Sequence, residues 1–251
     1  MAVDVRTVNL GYKNILTLEI YDSLDSTNTF GKQRIRAGCS HGTVVWALEQ
    51  TAGRGRRDRT WVSNNTSLTF SILWRFPDYS KIPLLPLTVG LGIVQILHTI
   101  TEDVRVKWPN DLWIGSKKLG GMLGESMMLN GDLWVILGIG INVNRHGEGL
   151  DFPHVSLQEA VGERFIRFGV LNLILEGADR GFSMLEEGVS DLNERFRQYG
   201  NFIDETIVVI EGEKRWEAVA RAVLPDGRLL VESVDGLQSV LPDEVSVRFR
   251  H

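Results

Sequence analysis

The chain has 251 residues, 43% hydrophobic and 24% charged. That is the balance of a globular protein with room for one full core and a small second domain, and it excludes disordered and fibrous classes. A formal net charge of −5 and a pI of about 5.6 exclude a molecule that lies as a whole on a polyanion, so any anion must be met by a local cluster. The single cysteine, Cys39, permits no internal disulfide, and the five histidines are scattered without ligand spacing. No apolar signal core opens the chain, and the apolar runs are broken by glycine or charge short of the ~18 residues of a membrane span. The expectation is a cytoplasmic protein off the membrane, without a structural metal.

In chain order, the segment from "DSTNTFGKQRI" predicts a short helix capped by Ser26 or Thr27. Period-2 alternation predicts strands at 16–20, 42–50 and 67–76, with Leu68, Phe70, Ile72, Trp74 and Phe76 on one face. A helical stripe follows over 87–100, built on Val89, Ile93, Ile96, Leu97 and Ile100. Strands are expected at 104–108, at 118–129 with glycine-permitted bends, and at 133–143. The last is too apolar for one wet face, which places it centrally or at a subunit contact. From Leu171 to Phe196 an i, i+3, i+4 stripe predicts a long core helix or a helix pair, interrupted near Gly181 or Gly188. Beyond it, short strands alternate with "EGE", "PDG", "VDG" and "PDE" turns, the pattern of a small β-barrel. The division expected is a domain over 1–203 and a second over 204–251.

"TAGRGRRDRTW", residues 51–61, sets Arg54, Arg56, Arg57 and Arg59 on a backbone loosened by Gly53 and Gly55. Planar guanidinium forks and close backbone approach make an anion cradle; read alone, the stretch is equally a solvated basic turn. It is neither a Walker loop nor a dinucleotide fingerprint, and an acidic chain with no stacking aromatic nearby except Trp61 argues against RNA. In "VRVKWPNDLW" Lys107 closes an apolar strand before Pro109, with Asn110 and Asp111 beside it, where phosphates and magnesium are usually managed. "KLGG", "GIGINVN", "DSTN" and Gln50 are each weak alone.

Together and in this order, "DSTN", "EQTAGRGRR", "KWPNDL", "KLGGMLGE" and "GIGINVN" resemble the biotin protein ligase family, and the C-terminal "EVSVR" matches that family's last domain. The resemblance covers nearly the whole chain. It implies an α+β fold: a mixed, mostly antiparallel sheet packed with helices, as in the class II aminoacyl-tRNA synthetases, plus a small C-terminal SH3-like β-barrel. It also implies an enzyme that makes biotinyl-5′-AMP from biotin and ATP with Mg²⁺, releases pyrophosphate, and biotinylates one lysine of a biotin carboxyl carrier protein. The first "DSTN" residue is Asp25, which leaves no room before it for the DNA-binding domain of the relatives that act as repressors, so a ligase without DNA binding is expected. A homodimer is compatible with the apolar 133–143 strand.

By the same resemblance, Ser26, Thr27, Asn28 and Gln50 satisfy the ureido end of biotin, and Gly120 and Gly121 let the backbone close on it. Arg54, Gly55 and Arg56 form the loop over biotin and the adenylate. Arg56 and Lys107 are the catalytic pair, with Lys107 bridging the biotin carboxylate and the α-phosphate. Trp61, Asn110, Asp111, Asn142 and Arg248 belong to the ATP side, with Asp111 the candidate for magnesium. Two positions depart from the family pattern: Asp58 and Asp243 stand where relatives carry glycine, and aspartate's tolerance of turn geometry makes both substitutions readable as neutral. The competing readings are a lipoate or octanoate ligase, whose "RRxSGGG"-type stretch is absent, and a binding module without turnover.

Overall fold

The computed structural model of the chain describes residues 8–57, 59–76, 78–144, 153–242 and 246–249. In order, the elements are β1 (Val8–Asn9), β2 (Thr17–Leu24), α1 (Thr27–Arg36), β3 (Thr43–Gln50), β4 (Ser67–Phe76), a 3₁₀ turn (Tyr79–Leu84), α2 (Leu85–Leu97), β5 (Val104–Lys107), β6 (Asp111–Ile114), β7 (Lys117–Leu129) and β8 (Asp132–Asn142). There follow α3 (Leu157–Val161), α4 (Arg167–Glu187), α5 (Leu192–Tyr199), β9 (Thr206–Glu211), β10 (Lys214–Val223), β11 (Leu229–Ser233), β12 (Gly236–Val240) and β13 (Ser246–Phe249). The fold is α+β. An eight-stranded sheet runs β1-β2-β3-β4-β8-β7-β6-β5, and a five-stranded sheet runs β12-β11-β10-β9-β13. In the large sheet β2 and β3 pair in parallel, joined by α1 as the crossover that parallel pairing requires, and the other pairs are antiparallel. The small antiparallel sheet fits an SH3-like domain.

The large sheet is apolar on both faces for different purposes. Leu68, Phe70, Ile72, Trp74 and Phe76 of β4 and Leu133, Val135, Leu137, Ile139 and Ile141 of β8 all join the main core with α2 and α4, as the alternation in β4 predicts. The opposite face carries Val45, Leu73, Trp134 and Ile136, packed with Ile35 of α1 in a second cluster. Farther along that same face the side chains shrink to Thr69, Ser71, Gly138 and Gly140, a gap that α1 does not fill. Strand β8 is central, hydrogen-bonded to β4 on one side and β7 on the other. That corrects the alternative of an uncovered strand at a subunit contact.

Helices α2 and α4 cross at glycines. A Cβ at Gly92 would lie 2.2 Å from the Gly177 carbonyl, and one at Gly181 would lie 2.5 Å from Val89 Cα. Gly181 therefore sits inside α4 at the crossing, while Gly188, at φ 87°, ends the helix before α5 begins. Phe182 of α4 stacks on Trp74 with ring centroids 4.5 Å apart, a contact worth roughly 0.5–1.5 kcal/mol beyond its buried area. The helical stretch Tyr79–Leu97 has the length and mean hydropathy, 1.6, of a membrane span. Its glycines and lysine break the apolar run less than the sequence reading assumed. Residues Leu85, Leu87, Val89, Leu91, Ile93 and Val94 lie in the protein core, as in the buried helix of a globular fold. The hairpin strand β6 was not visible in the alternation, because "DLWI" is too short and its Trp113 is only half-buried.

Candidate functional site

The gap on the α1 face of the sheet is the floor of a cleft of about 530 Å³, in the range of small-molecule sites. Thr69, Gly138 and Gly140 line the floor, and α1, the 51–61 loop and the β5–β6 turn supply the walls. The glycines are required where they stand. A Cβ at Gly138 would meet Asn28 Oδ1 at 2.4 Å, and one at Gly140 would meet the Trp61 indole at 2.5 Å.

One end of the cleft is neutral and polar. Ser26 occupies the N-cap position of α1 but makes no side-chain cap, so its hydroxyl is not spent on the helix. Gln50 Oε1 instead accepts from the Thr27 N–H at 2.7 Å, satisfying one of the orphan donors of the first turn. Ser71 Oγ lies 2.7 Å from Thr27 Oγ1 and 2.6 Å from Asn28 Oδ1. The Asn28 amide group donates to Leu123 O at 3.2 Å and to Glu125 Oε2 at 2.8 Å. A chain of hydrogen bonds thus fixes three donors and acceptors in a buried place, where reorientation is costly.

The other end is cationic. In the loop, the Gly55 N–H donates to Arg59 O at 2.7 Å and the Trp61 N–H to Gly53 O at 3.0 Å, folding the segment back on itself. Arg57 adopts φ 55°, a left-handed conformation that costs a non-glycine residue roughly 1–2 kcal/mol. Arg54, Arg56, Arg57 and Arg59 all line the cleft, as do Lys107 and Lys118 from β5 and β7. Arg56 donates to Asn110 Oδ1 at 3.0 Å and to the Pro242 carbonyl, in the turn after β12. Lys107 is only 6% exposed, with Nζ 4.1 Å from the centre of the Trp113 ring, which stabilises a desolvated cation. Lys118 Nζ donates to Asp111 Oδ1 at 2.7 Å. A cis peptide joins Trp108 and Pro109, and the Trp108 indole donates to Gly227 O at 3.0 Å, tying this rim to the second sheet.

Behind the cleft wall, Glu125 accepts from Asn28, from Arg54 at 3.0 Å and from Lys32 at 2.6 Å. Burial pushes its carboxyl upward and is the largest single influence. Hydrogen bonds from Lys32 and Asn28 and the charges of Lys32 and Arg54 together outweigh it and leave the group below its ordinary value. Among the described residues no group of three or more histidines, cysteines or carboxylates is arranged to hold a metal. Of the described residues lining the cleft, Asp111 is the one carboxylate.

Of the residues singled out in the sequence, Ser26, Thr27, Asn28, Gln50, Arg54, Gly55, Arg56, Trp61, Lys107, Asn110, Asp111 and Gly121 line this one cleft. Gly120 and Asn142 do not. A Cβ at Gly120 would strike the Gly140 carbonyl at 2.5 Å, so that glycine serves strand packing. The Asn142 amide donates to Lys118 O and Val155 O at 3.4 and 3.2 Å, stitching β7 to the segment before α3. Arg248 lies opposite Val208 in the β13–β9 register; its side chain, like Asp58 and Asp243, lies outside the described residues. Sequence reasoning missed Lys118, Ser71 and Glu125. Lys118 opens "KLGG", a motif read for its glycines, Ser71 lies in β4 between residues read only for their apolar face, and Glu125 follows a glycine run whose face was not assigned.

Comparison with known proteins agrees with this geometry. Residues 20–144 match the model of the biotin/lipoate A/B protein ligase family. Over 234 residues the chain is 32% identical to the bifunctional ligase/repressor BirA of Salmonella typhimurium, covering 90% of this chain and 72% of that protein. It is 29% identical to the BirA of Bacillus subtilis, covering 90% and 73%. The fold is similar to the biotin protein ligase from Aquifex aeolicus in complex with biotin and ATP, with a TM-score of 0.77 and 29% identity over 95% of this chain and all of that one.

Proposed function

The chain belongs to the biotin/lipoate A/B protein ligase family, and we propose that its cleft joins biotin and ATP into biotinyl-5′-AMP and then passes the biotinyl group to a carrier lysine. The observation that carries this reading is the pairing of a neutral polar end with a rim of six arginine and lysine side chains in one cleft. The neutral end suits a cyclic urea, which offers two donors and one acceptor. The cationic rim suits a carboxylate and a triphosphate brought side by side.

In the first step the biotin carboxylate oxygen attacks the α-phosphorus, the bond to the β-phosphate breaks, and pyrophosphate leaves. A carboxylate needs no general base. The barrier lies in bringing two anions together and in the charge that grows on the phosphoryl oxygens. Lys107 and Arg56 are assigned to that charge, and Lys118, reaching the same rim from β7, joins them. Ser26, Thr27, Asn28 and Gln50 orient the ring. Trp61, whose buried Nε1 has no hydrogen-bond partner among the described residues, is assigned to the nucleotide together with Asn110. Gly121 admits the ligand at a point where a Cβ would lie 2.8 Å from Asp111 Oδ1. Arg248 is assigned to the nucleotide by the family resemblance alone. Magnesium would enter with ATP; among the described residues lining the cleft Asp111 is the carboxylate that would help hold it, and the ion would supply further positive charge to the phosphates.

In the second step the amine of the carrier lysine attacks the acyl carbon, AMP leaves, and an amide forms. The amine must be neutral, so the step speeds up as pH rises toward the lysine's own pKa. The catalytic domain is assigned to 1–203 and the SH3-like domain to 204–251, with a biotin carboxyl carrier domain as partner and the cytoplasm as the compartment. The test is biotin-dependent exchange of labelled pyrophosphate into ATP, followed by labelling of a carrier domain. Binding of both substrates without exchange would leave a binding module instead.

A further inference from the structure

Glu125 does not line the cleft, and its carboxylate joins three segments of the chain. Oε2 accepts from Asn28 Nδ2 at 2.8 Å and from Arg54 at 3.0 Å, and Oε1 accepts from Lys32 Nζ at 2.6 Å. Asn28 and Lys32 belong to α1, Arg54 to the arginine loop, and Glu125 to β7. The Glu125 side chain is 20% exposed and that of Lys32 is 29% exposed, so that pair is shielded more than one on a free surface, while Arg54 is 47% exposed. The remaining contacts of Asn28 fix its polarity, since its Oδ1 faces Ser71 Oγ at 2.6 Å and its Nδ2 also reaches Leu123 O. The loop, by contrast, is held to the α1 face through Arg54, which also reaches Thr29 Oγ1 at 3.4 Å.

We propose that Glu125 is a positioning residue that anchors the arginine loop and the ring-orienting Asn28 to one carboxylate, so that order at the polar end and retention of the loop over the cleft are coupled. The proposal deepens the ligase reading and rests on it for its kinetic consequence. An intermediate covered by the loop escapes only when the Arg54 contact opens, and the carboxylate that holds Arg54 also sets the orientation of Asn28. Losing the charge at 125 therefore loosens both ends at once. Lys32 shares the carboxylate but does not line the cleft, and so serves as the control.

The experiment has a kinetic arm and a ligand-free arm. In the first, pre-formed radiolabelled biotinyl-adenylate is chased from Glu125→Gln, Glu125→Asp and Lys32→Met. Glu125→Gln is expected to release it roughly tenfold faster, the size of one lost charge-assisted hydrogen bond, Glu125→Asp by a smaller factor, and Lys32→Met within twofold of wild type. The double variant Glu125→Gln/Arg54→Gln is expected to speed release by less than the product of the two single effects, because the part that runs through Arg54 is already lost. In the second arm, trypsin cleavage after the loop arginines is expected to be several-fold faster in unliganded Glu125→Gln than in wild type or Lys32→Met. Wild-type release from Glu125→Gln, or single effects that multiply in the double variant, overturns the proposal. Failure of the wild type to form the adenylate would sink the ligase reading alone, since the trypsin arm still decides whether Glu125 holds the loop.

Discussion

Gly138 and Gly140 stand two residues apart on the same face of β8, and each is small for a different neighbour. In Gly140→Ala the new methyl would lie 2.5 Å from Trp61 Cε2 and Cζ2, about 1 Å inside the ~3.5 Å at which carbon atoms first attract. The ring cannot bend, and the Trp61 backbone is tied by its bond to Gly53 O at 3.0 Å, so the indole must tilt off the floor. Overpacking of this kind costs roughly 1–3 kcal/mol. If the cost falls on the nucleotide side, the KM for ATP rises roughly 5- to 150-fold. In Gly138→Ala the methyl would lie 2.4 Å from Asn28 Oδ1, and the same range falls on biotin. Both constants are read from one pyrophosphate-exchange assay, with each substrate varied at saturation of the other. The expected pattern is crossed, ATP for residue 140 and biotin for residue 138. An equal rise in both constants for both variants, or no rise in either, would refute the division of the cleft into a ring end and a nucleotide end.

Other outcomes follow from the same geometry. Lys118→Met removes a rim cation and leaves Asp111 without its ion pair, and kcat for adenylation is expected to fall about 100-fold or more, the scale for losing one charge-stabilising donor; a loss under threefold would return Lys118 to a structural role. Ser71→Ala deletes the hydroxyl between Thr27 and Asn28 and is expected to raise the biotin KM roughly tenfold with the ATP KM unchanged, as isothermal titration of each ligand checks. Transfer from pre-made adenylate is expected to rise about tenfold per pH unit between roughly pH 6 and 9, below the ordinary lysine pKa of ~10.4; a flat profile would place another step in control. Because the Glu125 carboxyl is held below its ordinary value, its contribution to stability is present above the unfolded-state pKa and is lost as pH falls through the depressed one. Glu125→Gln should therefore flatten the acid limb of a urea-midpoint profile, and an unchanged limb would show that the ion pairs add nothing to folding.

The sheet was legible in the sequence where one face carried all the large side chains. Alternation in β4 located Leu68 to Phe76 on the core face, while the all-apolar β8 allowed either the sheet centre or a subunit contact, and its pairing with β4 and β7 decides for the centre. It was not legible where the short β6 hairpin is held by pairing to both neighbours rather than by its own pattern. Gly181 and Gly188 look alike as letters. One admits a helix crossing and the other ends a helix, and the difference depends on α2, a partner about 90 residues away in sequence. At the site, motifs found residues that line the cleft, from Ser26 through Lys107 to Gly121. They also named Gly120 and Asn142, which do not line the cleft, and they passed over Ser71 and Glu125, because a residue that holds another in place carries no local signature. Lys118 was hidden by its own motif, since the glycines beside it drew the reading toward backbone packing.

The most direct test of the central claim, that this cleft activates biotin as an adenylate, is pyrophosphate exchange into ATP by the purified chain with biotin, lipoate or octanoate as the only acid. Exchange that depends on biotin and is absent with the other two is the expected result. Equal exchange with lipoate or octanoate, or none with biotin while biotin and ATP both bind, would contradict it.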